Sequence, residues 1–409
     1  MKTLALVALV AMLSGCSGHY LNAVGHAHEL ARAGEVDAAL AEHHAVTDGQ
    51  GWDALLVTLD EGALLHQKGD FRGSTVALDR AAQLAEDRET VSVSEEFLGK
   101  APFRMASHEK QALHALQALN ALSLGELDEA VVEARLTDLS QEKLADESAG
   151  AAKRERFLSG GALRENQRPF FEQLAFGRYV AGLCYELRGD RDDAFLDYWR
   201  AFQLSSAAPP DARVTPRALA PVLLKLGRAL GRPEVSEVER RFPDVAPAGE
   251  AELVVIVEAG FGPIITASKD SGMVLEPRPR PPLPDWVVVD GVPHLPSPVS
   301  SLEELALRRR HAGVLLDRER TASIGLNTAM VALLFPLFPV MAPLAVKRSY
   351  ESGMRMEQSW ELLPAELGVV RLSLSPGTHT VSLPTLRGLE ARAVDVKAGV
   401  PTVLVTRAP

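Results

Sequence analysis

The chain has 409 residues and a formal net charge of −11, with 46% hydrophobic and 24% charged residues. That length calls for more than one folding unit, since one domain holds about 100–200 residues. The composition excludes a disordered tail, a collagen and a polytopic membrane protein, the acidic balance argues against a nucleic-acid binder, and two cysteines, Cys16 and Cys184, are too few for a disulfide framework.

Met1 and Lys2 make a short positive start, and Leu4 to Leu13 is an apolar run of ten residues. Such a run is too short to span a bilayer as a helix. Leu13-Ser14-Gly15-Cys16 then sets small residues ahead of a cysteine, the layout of a secretory cleavage site. The segment resembles a bacterial lipoprotein signal. That resemblance implies a signal peptide over 1–15, cut between Gly15 and Cys16, a diacylglycerol on the Cys16 thiol and an acyl chain such as palmitate on the new N-terminus. More than one chain makes the anchorage stable. Ser17, rather than Asp, follows the cysteine, which in that class points to the outer membrane.

Residues 16–248 read as a helical repeat domain. Four stretches resemble one another: Gly34-Glu35-Val36-Asp37, Gly69-Asp70-Phe71-Arg72, Gly125-Glu126-Leu127-Asp128 and Gly189-Asp190-Arg191-Asp192. Glycine past a helix end takes the left-handed conformation, and the acidic residue beside it suits the start of the next helix. The first two glycines lie 35 residues apart, close to the 34-residue tetratricopeptide (TPR) period. The wider gaps that follow make the array irregular. Ala38, Ala39, Ala77, Ala81, Ala130, Ala134, Ala194 and Ala201 allow close helix pairing. Gly150 to Gly161 reads as an exposed loop, and Pro209, Pro210, Pro216 and Pro221 break up the end of the array.

Residues 249–409 read as a mixed, β-rich domain with a helical, apolar insertion at 300–358. Leu253-Val254-Val255-Ile256-Val257 suits a buried strand, and Gly260 to Pro263 a turn with Ile264-Ile265-Thr266 as its partner strand. Eight prolines fall between Pro277 and Pro298, around a short strand at Val287–Val289 closed by Asp290-Gly291. Ser300 or Ser301 caps a helix with Glu303 and Glu304 in its first turn, running to about Arg320. The basic run Arg308-Arg309-Arg310-His311, with Arg318 and Arg320, reads as that helix's solvent face, with contact to anionic lipid as the alternative. Ile324 to Val346 is uncharged for 23 residues but holds Pro336, Pro339 and Pro343. It is expected to be a buried helix–turn–helix, or a hairpin contacting membrane or a partner through Ile324, Leu333, Leu334, Phe335, Leu337 and Phe338. After Trp360 come strands near 369–374, 380–383, 393–396 and 402–405. Ser375 to His379 is read as a turn that pairs the first two, the last two pair as another hairpin, and all four build a small antiparallel sandwich or sheet.

The chemistry-bearing residues form no catalytic constellation. His26 and His28 are two apart and His43 and His44 adjacent, so neither pair has the spacing of helical zinc ligands. There is no His-Glu-x-x-His, no nucleophile elbow and no phosphate-cradling loop, and Gly260-Phe261-Gly262 lacks a third glycine. Cys184 lies within a helix as a buried thiol. No metal, cofactor or catalytic residue is expected.

Beyond its lipoprotein signal, the chain resembles a family of bacterial lipoproteins with a TPR-like helical half and a mixed C-terminal half. The matching pieces are Leu13 to Cys16, Arg178 to Leu183 with Tyr185-Glu186, Gly189-Asp190 with Asp193-Ala194, and Glu252 to Val257 with Gly260 and Pro263. The most specific is Ser359-Trp360-Glu361-Leu362-Leu363-Pro364-Ala365-Glu366, followed by Val370-Arg371-Leu372 and Pro376 to Val381. The resemblance implies an α-solenoid followed by a β-rich region. The expected function is a non-enzymatic protein-interaction scaffold at the periplasmic side of the outer membrane. It would hold an envelope protein or peptide segment in the helical groove and the membrane through acylated Cys16. The alternative is a component of an envelope export or assembly machine, with 324–346 contacting membrane or oligomer partners.

Overall fold

The computed structural model describes residues 17–89, 103–140, 174–207, 214–268, 272–276, 278, 286–306 and 360–408. The fold is mixed, with helices first and strands after. The helices are α1 Ser17–Arg32, α2 Val36–Thr47, α3 Ala54–Lys68, α4 Phe71–Glu89, α5 Ser107–Leu124, α6 at 127–140, α7 Ala175–Arg188, α8 Arg191–Ser206, α9 Ala220–Leu230 and α10 Val235–Arg241. A short 3-10 turn, Pro216–Leu219, precedes α9.

The helices pair as hairpins, and the pairing follows from the chain. Gly34, Gly69, Gly125 and Gly189 all adopt positive φ, between 74° and 90°. At each, the glycine N–H bonds three residues back and the next N–H bonds five residues back. This doubled closure satisfies the last carbonyls of the first helix. Gly231 makes the same turn between α9 and α10, a fifth instance that the four sequence stretches did not include. The packing repeats as well. Five residues after each of the four turns stand Ala39, Ser74, Ala130 and Ala194, all fully buried. Seven residues before each turn glycine stand Ala27, Gly62, Ala118 and Gly182, also buried. Small side chains at these two places let the paired helices approach closely.

The strands are β1 Glu252–Ala259, β2 Ile264–Ser268, β3 Gly272–Glu276, β4 Val287–Val289, β5 Val292–His294, β6 Ser297–Ser301, β7 Glu366–Ser373, β8 Gly377–Thr385, β9 Gly388–Val396 and β10 Thr402–Ala408. They form one sheet in the order β10-β1-β7-β6, a second in the order β5-β4-β8-β9, and a separate β2–β3 ribbon. β1 is the central element. Its alternate residues Leu253, Val255 and Val257 join the second sheet's Val287, Val289, Val381 and Leu383 in one core. Its opposite face, Val254 and Ile256, joins the core built by the helices. The result is three layers, helices, first sheet and second sheet. A strand buried on both faces reads as a continuous apolar run, which explains Leu253 to Val257.

Three local pairings differ from the sequence expectation. The 264–268 strand pairs with 272–276, not with β1. β9 pairs with β8, while β10 runs parallel to β1. β7 and β8 lie in different sheets. The cause is common to all three: the two-faced strand β1 takes neighbours that cover both its edges, β7 over eight residues and β10 over seven, which leaves β8 to pair with β9 over nine. A further helix is described over 302–306, and its cap at Ser301 is present, the Oγ accepting from the Glu304 N–H at 3.2 Å. The insertion from 307 to 359, including the basic run, and the Gly150–Gly161 loop lie outside the described residues.

Gly182 tests the hairpin packing. A methyl group there would stand 2.9 Å from the Tyr198 ring, and Tyr198 is held by its hydroxyl bond to Glu186 at 2.8 Å. Gly182→Ala gains helix propensity of about 1 kcal/mol. Overpacking costs typically 1–3 kcal/mol, so the net is a loss of roughly 1 kcal/mol, read as a lower urea midpoint at unchanged slope.

Candidate functional site

The layer between helices and first sheet is tied by polar groups as well as by apolar packing. The first helix of each of the five hairpins sends one side chain to the C-terminal half. α1 gives His28 to Glu361 at 3.6 Å, and α3 gives His66 to Glu258 at 2.9 Å. α5 gives Glu109 to the Trp360 N–H at 2.7 Å, α7 gives Glu186 to Arg371 at 2.7 Å, and α9 gives Lys225 to Glu252 at 2.8 Å.

One network centres on Arg371 in β7. Its Nη2 reaches both Glu186 and Glu252 at 2.7 Å, and its Nη1 donates to the Tyr198 hydroxyl at 3.2 Å. Burial alone would lower the guanidinium's pKa, but Glu186 and Glu252 hold it well above the ordinary arginine value. Arg371 and Lys225 are matched by Glu186 and Glu252, so the network is neutral.

A second network centres on Asp60. It accepts from the Tyr20 hydroxyl at 2.8 Å and pairs with His28 at 2.9 Å. Burial works against the charged imidazole, yet Asp60 and then Glu361 raise the His28 pKa to about 9. Arg278 completes it, bonding Glu361 at 3.0 Å while its backbone N–H meets Glu303 at 2.9 Å. Arg32 adds attraction to Glu361. His28, Arg278 and Arg32 are thus balanced by Asp60, Glu361 and Glu303.

The third network lines a cleft of about 420 Å³. The walls are the Gly34 turn with Val36 and Asp37, the end of α3 with Phe71, and strands β1, β8, β9 and β10. The cleft is closed at one side where the β8–β9 turn meets the α1–α2 turn. There Arg387 donates to the Gly34 carbonyl at 3.1 Å, and any Cβ on Gly34 would lie 2.8 Å from the Leu386 carbonyl oxygen. In the wall, the Ser74 hydroxyl donates to the Gly62 carbonyl at 2.8 Å, so its oxygen is left to accept from the Asn120 amide nitrogen at 2.9 Å. That turns the Asn120 oxygen to His66 Nδ1, 2.6 Å away, which must donate. His66 Nε2 faces Glu258 at 2.9 Å and also donates. Both ring nitrogens meet acceptors, so the ring is an imidazolium. The pKa agrees in direction: burial opposes the charge, but Glu258 raises it.

Arg407 stands beside this pair, opposite Glu258 in the β1–β10 register. Its guanidinium lies over the Phe261 ring at 4.7 Å, and its Nη2 donates to the Leu362 carbonyl at 3.3 Å. Its Nε and Nη1 are buried without a hydrogen-bond partner, as are Glu258 Oε1 and the Gln67 amide atoms. Burial lowers the Arg407 pKa to about 10, with Glu258 as the offsetting charge, so it is cationic at neutral pH.

Cys16, Gly15, Ile324, Leu333, Leu334, Phe335, Leu337 and Phe338 lie outside the described residues. Cys184 is fully buried in α7, and burial pushes its thiol up to about 12. Of the histidines, His26 is exposed beside Glu29 and His44 lies near Glu61, while His28 and His43 are both buried at the Tyr20–Asp60 site and His66 is buried apart from them beside Glu258. No group of three or more metal-ligating side chains, and no helix long and apolar enough to cross a membrane, occurs among the described residues.

Two measurements test the networks. Arg371→Met leaves Glu186 without a cation and Glu252 with Lys225 alone, and breaking a buried pair costs about 3–5 kcal/mol. Denaturant unfolding reads the loss, and adding Glu186→Gln to Arg371→Met recovers part of it. For His28, the folded pKa of about 9 exceeds the unbound value of 6.5. Its contribution is complete below pH 6.5 and falls as pH rises through 9, by on the order of 3 kcal/mol. Urea unfolding at pH 6.5 and pH 9 shows that fall, and His28→Gln flattens it.

With this geometry in hand, comparison with known proteins gave no match to any family model, to any curated protein or to any solved structure.

Proposed function

We propose that the chain is an outer-membrane lipoprotein, anchored through acylated Cys16, that serves as a non-enzymatic interaction scaffold at the periplasmic face. Its helical half is a TPR-like array in this reading. The observation that carries the proposal is the repeated hairpin, with one turn geometry and the same two small positions at Gly34, Gly69, Gly125 and Gly189. Arrays of such hairpins work by stacking into extended binding surfaces.

The geometry also bears on where a partner would dock. A groove within 16–248 was the sequence expectation. The first helix of every hairpin, however, meets the chain's own C-terminal half. A partner segment therefore fits better at the cleft, where the first two hairpin turns and strands β8 to β10 leave space.

Affinity capture of the full chain from solubilised membranes tests this. The native protein is expected in the outer-membrane fraction and Cys16→Ser outside it. An envelope protein should co-purify and be lost when Arg387→Glu and Arg392→Glu alter the cleft rim. Recovery of no envelope protein above background overturns the scaffold reading.

A further inference from the structure

The three networks differ in charge balance. In the Arg371 network each cation touches a carboxylate, and in the Asp60 network His28 and Arg278 do, while Arg32 is drawn to Glu361 at longer range and the charges still match in number. At the cleft, Glu258 is taken by the His66 imidazolium, and Arg407 is left without a carboxylate in bonding contact. The rest of the lining repeats the excess. Lys68, Arg387 and Arg392 join His66 and Arg407 against Asp37, Glu258 and Glu390, and Lys68 already pairs with Asp37 at 2.9 Å. This concentration of cations occurs in a chain of net charge −11. A buried charge without a partner is strongly unfavourable, and Arg407 is more than nine-tenths buried with two unpartnered nitrogens.

We propose that this cleft is a binding site for a small organic oxyanion, a carboxylate or phosphate group that Arg407 holds from the base of the cleft. Guanidinium nitrogens bind such groups through short charge-assisted hydrogen bonds. Arg392 and Arg387 stand at the rim and draw the anion in. Val36, Phe71, Leu383, Leu386 and Val405 give the same cleft an apolar wall, so the ligand carries an apolar body behind its charged head. Gln67 and Glu258 Oε1 offer a further donor and acceptors, which suits a ligand with a hydroxyl or amino group beside the oxyanion. The proposal shares the cleft with the scaffold reading but needs no protein partner. A failed co-purification leaves it intact, and failed anion binding leaves co-purification to be judged separately.

The test is isothermal titration of the full chain, solubilised in detergent, with inorganic phosphate, phenyl phosphate and phenylpropionate. Binding by phenyl phosphate and phosphate marks a phosphate head; binding by phenylpropionate marks a carboxylate head. In either case Arg407→Met is expected to weaken binding by about tenfold or more. Raised salt should weaken it as well. Arg407→Met removes a poorly compensated buried charge, so its melting temperature without ligand should be close to that of the native chain or higher. Arg392→Gln, at the rim, provides a second variant, with a smaller loss of affinity and an unchanged fold. No heat and no rise in melting temperature with any of the three probes at 10 mM overturns the proposal. So does binding that Arg407→Met and Arg392→Gln leave unchanged.

Discussion

A carboxylate on the buried face of a sheet must find a cation, and β1 carries two such carboxylates. Glu252 and Glu258 stand six residues apart on the face that also bears Val254 and Ile256, both nearly inaccessible to solvent. The helices supply what they need, Lys225 to one and His66 to the other, while Arg371 from the neighbouring strand completes the first. Apolar packing between a helical layer and a sheet tolerates sliding. Two charged anchors at opposite ends of one strand do not, because any shift leaves a buried charge unpaired. The registry of sheet on helices rests on these two side chains more than on the valines between them.

The same requirement explains the regular use of the hairpins. Each first helix ends at a glycine turn, and its contact to the C-terminal half comes from one polar side chain on that helix. His66 and Glu186 lie three residues before their turns, in the last helical turn, where a side chain reaches past the helix end to the strand behind. His28 and Lys225 lie one helical turn further back, and Glu109 stands in the first turn of its helix. The repeated turn therefore pairs the helices, while each anchor's place along its helix is set by the strand or loop it meets.

Much of this was legible in the sequence. The glycine-acid pairs at 34, 69, 125 and 189 identified the turns because positive φ leaves few residue choices. The run Leu253 to Val257 identified β1 because its composition suits burial on two faces. What the run concealed was its neighbours: strand partners are chosen by long-range burial, and local spacing favoured hairpins that the molecule does not make. The sequence signal for the cleft was present but unread. Glu252 and Glu258 bracket an otherwise apolar strand, and a charged residue at a doubly buried position implies a partner. Which histidine or arginine supplies it depends on contacts up to 192 residues away in sequence, beyond the reach of spacing arguments. Of the histidines at 26, 28, 43 and 44, the fold brings only His28 and His43 together, at the Tyr20–Asp60 site, and leaves His26 and His44 beside carboxylates at the surface.

The cleft sits where these separate constraints meet. Its walls come from the first two hairpin turns and from strands near the end of the chain; the two touch through Arg387 on Gly34, and the strand wall is itself tied by the Thr406 hydroxyl donating to the Pro384 carbonyl. A molecule bound there would contact segments more than 300 residues apart in sequence and would stabilise their closed arrangement by mass action. It would also place its charge against Arg407, the cation that the sheet's own carboxylates leave least compensated. Occupancy of the cleft and the fit of the helices against the sheet are therefore coupled through one side chain. A ligand that neutralises Arg407 strengthens the same interface that Arg371 and His28 hold together at its other points.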